Sequence, residues 1–238
     1  MEATLLAWHS DHRADLPWRR RRDPYAVLVS EVMLQQTQVT RVVPRFEAWM
    51  ERWPSVEALA TAGLDEVIRA WQGLGYNRRA ANLHRAARLV AEHGWPEDLT
   101  TLPGVGAYTA TAIRRFALGE DILPLDTNVK RVIERTRGRF GPASAEALMD
   151  LGREICLARI PRCGICPLAD GCPSRGRRYE PLRKQSRFEG SFRQRRADML
   201  RVLSERPRPL RQLERPVVDS LVRDGLALVD GSIVRLPS

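Results

Sequence analysis

Apolar positions recur along this chain at helical rather than strand spacing. Ala80, Leu83, Ala87 and Val90 fall at i, i+3, i+7 and i+10, one stripe of a helix. Met1 leads into a polar, helix-like stretch, and Tyr25 to Trp53 is apolar at similar intervals, with Pro44 marking an expected break or kink. Leu64–Trp71 reads as a short helix and Gly73–Tyr76 (GLGY) as a turn. Ala107–Leu118, Thr127–Arg137 and Ala143–Cys156 read as three further helices, and no strand-like alternation precedes residue 200. Pro173–Gln185 reads as a linker, followed by helices over Phe192–Leu203 and Pro216–Arg223. The ending DGLALVDGSIVRLP predicts two short strands about an Asp-Gly turn, so residues 186–238 read as a small winged-helix-like α+β region.

A chain of 238 residues has room for one large domain or two smaller ones. No apolar run approaches membrane-spanning length. The formal charge of +10 points to a polyanionic partner. Only two of the 39 basic residues are lysine, Lys130 and Lys184. Arginine grips phosphate in a bidentate fork, so the bias suits DNA, although genome base composition produces the same bias. From Pro173 to Arg215 there are fourteen basic and five acidic residues, a net of +9. Such a run is either a DNA-contacting arm or a solvated linker.

Three short segments carry candidate chemistry. The four cysteines, Cys156, Cys163, Cys166 and Cys172, follow the spacing C-x6-C-x2-C-x5-C. Four thiolates so placed can saturate one metal centre. The uneven loops favour an iron–sulfur cubane. Zinc is the main rival, and disulfides are disfavoured by the absence of a signal peptide before Met1, which argues for a reducing, cytoplasmic compartment. In Leu102-Pro103-Gly104-Val105-Gly106, a Gly-x-Gly turn at a helix start exposes unpaired N–H groups that suit a DNA phosphate, though an ordinary helix–helix turn has the same sequence. Asp126, twenty positions after Gly106, is a natural N-cap for the helix that follows, and is also a carboxylate able to stabilise positive charge on a sugar.

With these residues in view, LPGVG, LDTNVKRV and the cysteine spacing resemble the helix-hairpin-helix DNA glycosylases of the endonuclease III superfamily. LPWR (Leu16–Arg19), DPYAVLVSEVMLQQTQV (Asp23–Val39), GLGY and MDLG (Met149–Gly152) resemble the MutY-type adenine glycosylases in particular, from about Leu5 to Cys172. The resemblance implies an all-α, two-lobed fold. It comprises a six-helix barrel (20–131), an iron–sulfur lobe (1–19 and 132–178) holding a [4Fe–4S] cluster on the four cysteines, and a cleft in which double-stranded DNA with a mismatch or lesion is bound and one nucleotide flipped. A monomer and no membrane partner are expected. Glu31 matches the acid that protonates adenine, and its neighbours Val29, Val32 and Met33 suit a buried carboxyl. Asp126 matches the aspartate that stabilises the cationic sugar, and Tyr108 and Asn128 match positioning residues. Gln35, Gln36, Tyr76, Gly104, Val105, Gly106, Arg159 and Arg162 are the implied DNA contacts. Bifunctional relatives place a lysine where this chain has Tyr108, so a monofunctional enzyme is expected. Lys130 matches a non-catalytic position.

Two departures from the pattern concern specificity. The region after Gln185 is too short for the usual 8-oxoguanine-recognising domain, and Val132–Met149 is shortened. A related glycosylase for thymine, uracil or hypoxanthine, and a non-catalytic DNA-binding module, remain alternatives. Removing residues 186–238 is expected to weaken binding to all duplexes and leave their ranking unchanged.

Overall fold

The structure is a computed structural model that describes residues 1–180 and 187–238. It is mainly helical, with α1 (Glu2–His12), α2 (Pro17–Arg20), α3 (Pro24–Leu34), α4 (Val39–Arg52), α5 (Val56–Ala60), α6 (Leu64–Ala70) and α7 (Arg78–His93). These are followed by α8 (Ala107–Phe116), α9 (Thr127–Thr136), α10 (Ala145–Glu154) and α11 (Phe192–Glu205). Strand β1 (Arg208–Pro209), helix α12 (Arg215–Arg223) and strands β2 (Leu228–Asp230) and β3 (Ile233–Arg235) complete the chain. Among the described residues no helix is long and apolar enough to cross a membrane.

The chain forms two compact units, Met1–Val27 with Gly106–Lys184, and Leu28–Val105 with Gln185–Ser238. In the first, Leu5 of α1, Val129 and Val132 of α9, and Leu148 and Leu151 of α10 form one core. A charged group is built into this unit. Asp150, 1% exposed, accepts two hydrogen bonds from Arg19 (2.8 and 2.9 Å) and pairs with His9 (3.1 Å) and Arg153 (3.0 Å). The LPWR and MDLG motifs are thus the two halves of one ion pair. Burial pushes the Asp150 carboxyl up, but the hydrogen bonds and charge of Arg19, with Arg153, outweigh it and hold the pKa below the usual aspartate value. A depressed carboxylate stabilises the fold above its unfolded pKa of about 3.9, and that stabilisation is lost as pH falls. Asp150→Asn is therefore expected to cost about 3–5 kcal/mol at neutral pH, since it strands Arg19, and less below pH ~4; thermal denaturation across pH checks both.

In the second unit, Trp49 meets Trp53 and Trp71 edge-on, with centroids 4.7 and 5.6 Å apart. Pro44 does not break its helix. It lies exposed in the second turn of α4, which runs on to Arg52. A proline there forfeits one hydrogen bond, to Thr40, and its ring faces solvent. The interruption between Tyr25 and Trp53 comes instead over Gln35–Gln38, between α3 and α4.

The C-terminal segment has the helix–strand–helix–hairpin order of a small winged helix. The sheet order is β1-β3-β2, with Arg208 opposite Val234 and Val229 opposite Val234 from the other side, both pairs antiparallel. This module shares a core with the rest of its unit. Leu200, Leu203, Val217, Val218, Leu221 and Val234 pack in one cluster with Ile68 of α6 and Ala81 of α7. Of the linker read over Pro173–Gln185, residues 181–186 lie outside the described residues. Tyr179 does not behave as linker: its N–H donates to the Arg159 carbonyl (3.0 Å), and its ring lies 3.8 Å from the Arg135 guanidinium.

Candidate active site and cysteine centre

The second unit carries the segment SEVMLQQT on α3 and the turn after it. Ser30, Glu31, Val32 and Met33 are all buried, Glu31 at 8% exposure. Glu31 and Asp150 are the buried carboxyl groups among the described residues, and Glu31 sits among Val29, Val32 and Met33 on an almost wholly apolar helix.

Gln36 and Tyr76 both adopt left-handed backbone angles, φ +56° and +48°. Residues other than glycine are held there only when their surroundings insist, and such strain gathers at functional positions. Both are also exposed, Tyr76 at 40%. Arg79 does the holding. Its buried guanidinium donates to the carbonyls of Val32 (2.6 Å), Met33 (3.0 Å) and Gln35 (2.8 Å) at the end of α3, and to those of Leu74 (3.1 Å) and Gly75 (2.9 Å) in the GLGY turn. A further bond goes to Thr37 Oγ1 (3.1 Å). Burial pushes its pKa down to about 10, which leaves it charged at neutral pH. One arginine therefore fixes Gln35, Gln36 and Tyr76 relative to each other.

Leu102–Val105 closes this unit. Gly104 has φ +81°, and any side chain there would start 2.9 Å from Asn82 Cβ, so only glycine fits. Gly104 is exposed while Val105 is buried at 5%, which leaves the backbone of this turn, and not a side chain, to meet a ligand.

The first unit takes up the chain at Gly106, the N-cap of α8, with Tyr108 half-buried in the first turn of that helix. Asp126 caps α9. Its Oδ1 accepts from the Val129 N–H (2.6 Å) and its Oδ2 from Asn128 Nδ2 (3.1 Å). Asn128 Oδ1 in turn accepts from Arg131 (2.7 Å). Arg131 also donates to the carbonyls of Cys156 (2.7 Å) and Gly152 (2.6 Å). A continuous line of hydrogen bonds therefore runs from the backbone of the first cysteine to the Asp126 carboxylate. Gly152 packs so closely on Asn128 that a methyl group there would start 2.7 Å from Asn128 Cβ, which accounts for the glycine of MDLG. Lys130 is exposed on the same helix.

None of the four cysteines forms a disulfide, and all four are half-buried and line one shared pocket. Among the described residues no three His, Cys, Asp or Glu converge tightly enough to hold a single metal ion. The donors around the sulfurs fit a thiolate-held group. Arg135 N–H points at Cys156 Sγ (3.6 Å) and the Gly176 N–H at Cys163 Sγ (3.3 Å). Burial, followed by the neighbouring sulfurs, pushes the Cys166 thiol up, although the Leu168 backbone N–H opposes this. Arg135 also holds the loop after Cys156 through the carbonyls of Leu157 (2.7 Å) and Ala158 (2.6 Å). Arg159 and Arg162 project from that loop with exposed side chains, and among the described residues neither forms an ion pair.

Sequence reasoning missed Arg79, Arg131 and Arg135, three among many arginines. One signal was available. Arg79 heads the apolar stripe of Leu83, Ala87 and Val90, and Arg135 follows Val132 on the buried face of α9. A cation at a core position of a helix marks an inward-facing hydrogen-bond hub.

Residues 29–156 match the HhH-GPD superfamily of base excision DNA repair proteins. The adenine DNA glycosylase of Mycolicibacterium smegmatis is 41% identical over 93% of this chain and 90% of its own length. That of Mycobacterium tuberculosis is 40% identical over 94% of this chain and 86% of its own. The human adenine DNA glycosylase is 37% identical over 79% of this chain, which spans 42% of the human protein. Among solved structures, a thermostable thymine-DNA glycosylase superposes with TM-score 0.64 at 27% identity, over 72% of this chain and 93% of that one. A trapped endonuclease III–DNA covalent intermediate superposes with TM-score 0.61 at 22% identity, over 72% of this chain and 92% of that one, and so shares the fold. The chain belongs to the HhH-GPD superfamily of base excision DNA repair proteins.

Proposed function

We propose that this protein is a monofunctional DNA glycosylase. It hydrolyses the N-glycosidic bond of adenine mispaired with 8-oxoguanine or guanine in double-stranded DNA. The observation that supports this most is Glu31, a carboxyl buried on an apolar helix in a chain whose relatives are adenine glycosylases. In this reading Glu31 delivers a proton to the adenine ring, making the base a better leaving group. Asp126, fixed by Val129 N–H and Asn128, stabilises the positive charge that develops on the sugar as the bond breaks. Water adds to the sugar carbon, and the products are free adenine and an abasic site. Tyr108 offers no amine, so no covalent strand-cleaving adduct forms. Gln35, Gln36 and Tyr76 fill the gap left in the base stack, and the backbone at Gly104–Gly106 takes a phosphate.

The test is a panel of labelled duplexes, each with one mismatch, assayed for abasic sites. Adenine opposite 8-oxoguanine and guanine is expected to be excised, and Glu31→Gln to abolish this. Excision of thymine opposite guanine, with adenine untouched, would favour the chemistry of the thymine-DNA glycosylase that shares the fold.

Cys156, Cys163, Cys166 and Cys172, which line one pocket, would hold a [4Fe–4S] cluster, the reading their uneven spacing and the family resemblance support over zinc. The cluster would cross-link the loop that presents Arg159 and Arg162 to the DNA backbone. Anaerobically purified protein is expected to contain about four iron and four sulfide per chain, and Cys166→Ser to lose them. Stoichiometric zinc without iron would overturn this assignment.

A further inference from the structure

The C-terminal module is docked where it adds to the site. Its first helix, α11, packs against α6, and the core of the module takes in Ala81 of α7; α6 and α7 are the helices on either side of the GLGY turn. Arg69 of α6 donates to the Ser204 carbonyl (3.0 Å), and Gln72, just after α6, to Ser204 Oγ (2.6 Å). Ile68 and Ala81 lie inside the core of the module. Within the module, Arg196 of α11 bonds Ser220 and Asp224 at the far end of α12, so its two helices are tied together. Asp224 in turn lies 3.9 Å from Arg78, two residues after Tyr76. The result is a fixed placement of the first turn of α11 beside Tyr76: Arg193 Nη1 lies 3.2 Å from the Tyr76 hydroxyl.

Tyr76 is an exposed aromatic held at a strained φ by a buried arginine, which is how a side chain is aimed at a ligand. An arginine set at the tip of such a ring is well placed for the phosphate of the nucleotide stacked on it, because a guanidinium is a fixed fork of five N–H donors that can serve a phenol and a phosphate together. We propose that the winged-helix-like module is part of the duplex-binding surface, with the Arg193 guanidinium taking a DNA backbone phosphate beside the base step at Tyr76. This rests on the reading of the GLGY turn as DNA-facing. It replaces a tail of diffuse charge by one specific contact.

The test measures binding of the full-length protein to fluorescently labelled duplexes, one undamaged and one with adenine opposite 8-oxoguanine, as a function of salt. Arg193→Ala is expected to weaken both about tenfold at about 0.1 M salt and to lower the salt slope by about one, as for the loss of one phosphate contact. Arg201→Ala removes the same charge from the same helix, two turns further on, and is expected to leave the slope near its original value. Arg193→Gln keeps a donor for the Tyr76 hydroxyl without the charge. If Arg193→Gln binds like the unmutated protein, Arg193 only buttresses Tyr76 and the proposal fails. Equal losses from Arg193→Ala and Arg201→Ala would mean diffuse attraction, and would overturn it too. Failure of the DNA-repair reading itself looks different: the unmutated protein would not prefer the mismatched duplex.

Discussion

Asp126→Asn is expected to reduce excision by roughly a thousandfold or more, the scale on which losing one preorganised electrostatic group lowers catalysis. The fold should tolerate the change. Asn is as good an N-cap as Asp, so the bond from the Val129 N–H survives and α9 keeps its first turn. What is lost is the negative charge, together with the acceptor for Asn128 Nδ2 if the new amide turns its nitrogen that way. Duplex binding should persist or tighten, because a like charge to DNA is removed. The measurements are single-turnover excision on an adenine:8-oxoguanine duplex, binding to the same duplex, and a melting curve. Near-normal excision with an unchanged melting curve would show that Asp126 is only a helix cap.

Much of this was legible in the sequence because its physics is local. Helix-period spacing over Ala80–Val90 and capping at Asp126 predict α7 and the start of α9, and the structure has both. The hairpin at the C-terminus follows from Gly231, which takes φ +57° between β2 and β3. Pro44 misled because its effect depends on which face it occupies, and one residue type does not reveal that. The hidden part was long-range. Arg79 binds carbonyls 44–47 positions earlier, and Arg19 meets Asp150 across 131 positions. An arginine in a basic chain looks like any other until its carbonyls are known. The motifs SEVMLQQT and GLGY could be matched to a family, but that one guanidinium joins them could not be read from spacing. The same holds for the line from Cys156 through Arg131 and Asn128 to Asp126, which makes the cysteine loop and the capping aspartate parts of one assembly.

Removing residues 187–238 is the second large effect, and the structure changes its expected form. From the sequence alone, loss of residues 186–238 is expected to weaken binding to all duplexes and leave their ranking unchanged. The core shared by Ile68, Ala81 and the C-terminal leucines and valines says otherwise. Truncation would bare Ile68, now 2% exposed, and Leu64, which packs on the same cluster. Each such side chain is worth about 1.5–3 kcal/mol when buried. It would also strip Arg69 and Gln72 of their bonds to Ser204. The sum is of order 3–6 kcal/mol, which for a chain of this size lowers the melting temperature by roughly 10 °C or more. The loss falls on α6 and α7, which flank Tyr76, so the ranking of duplexes should change along with overall affinity. A truncated chain that melts like the full one would show the module to be an independent appendage. A point variant separates the two consequences. Leu203→Ala, at the centre of the shared core, should cost about 2–5 kcal/mol while leaving every arginine of α11 in place. If it lowers stability and alters duplex ranking without lowering the salt slope, docking of the module is what sets the geometry at Tyr76.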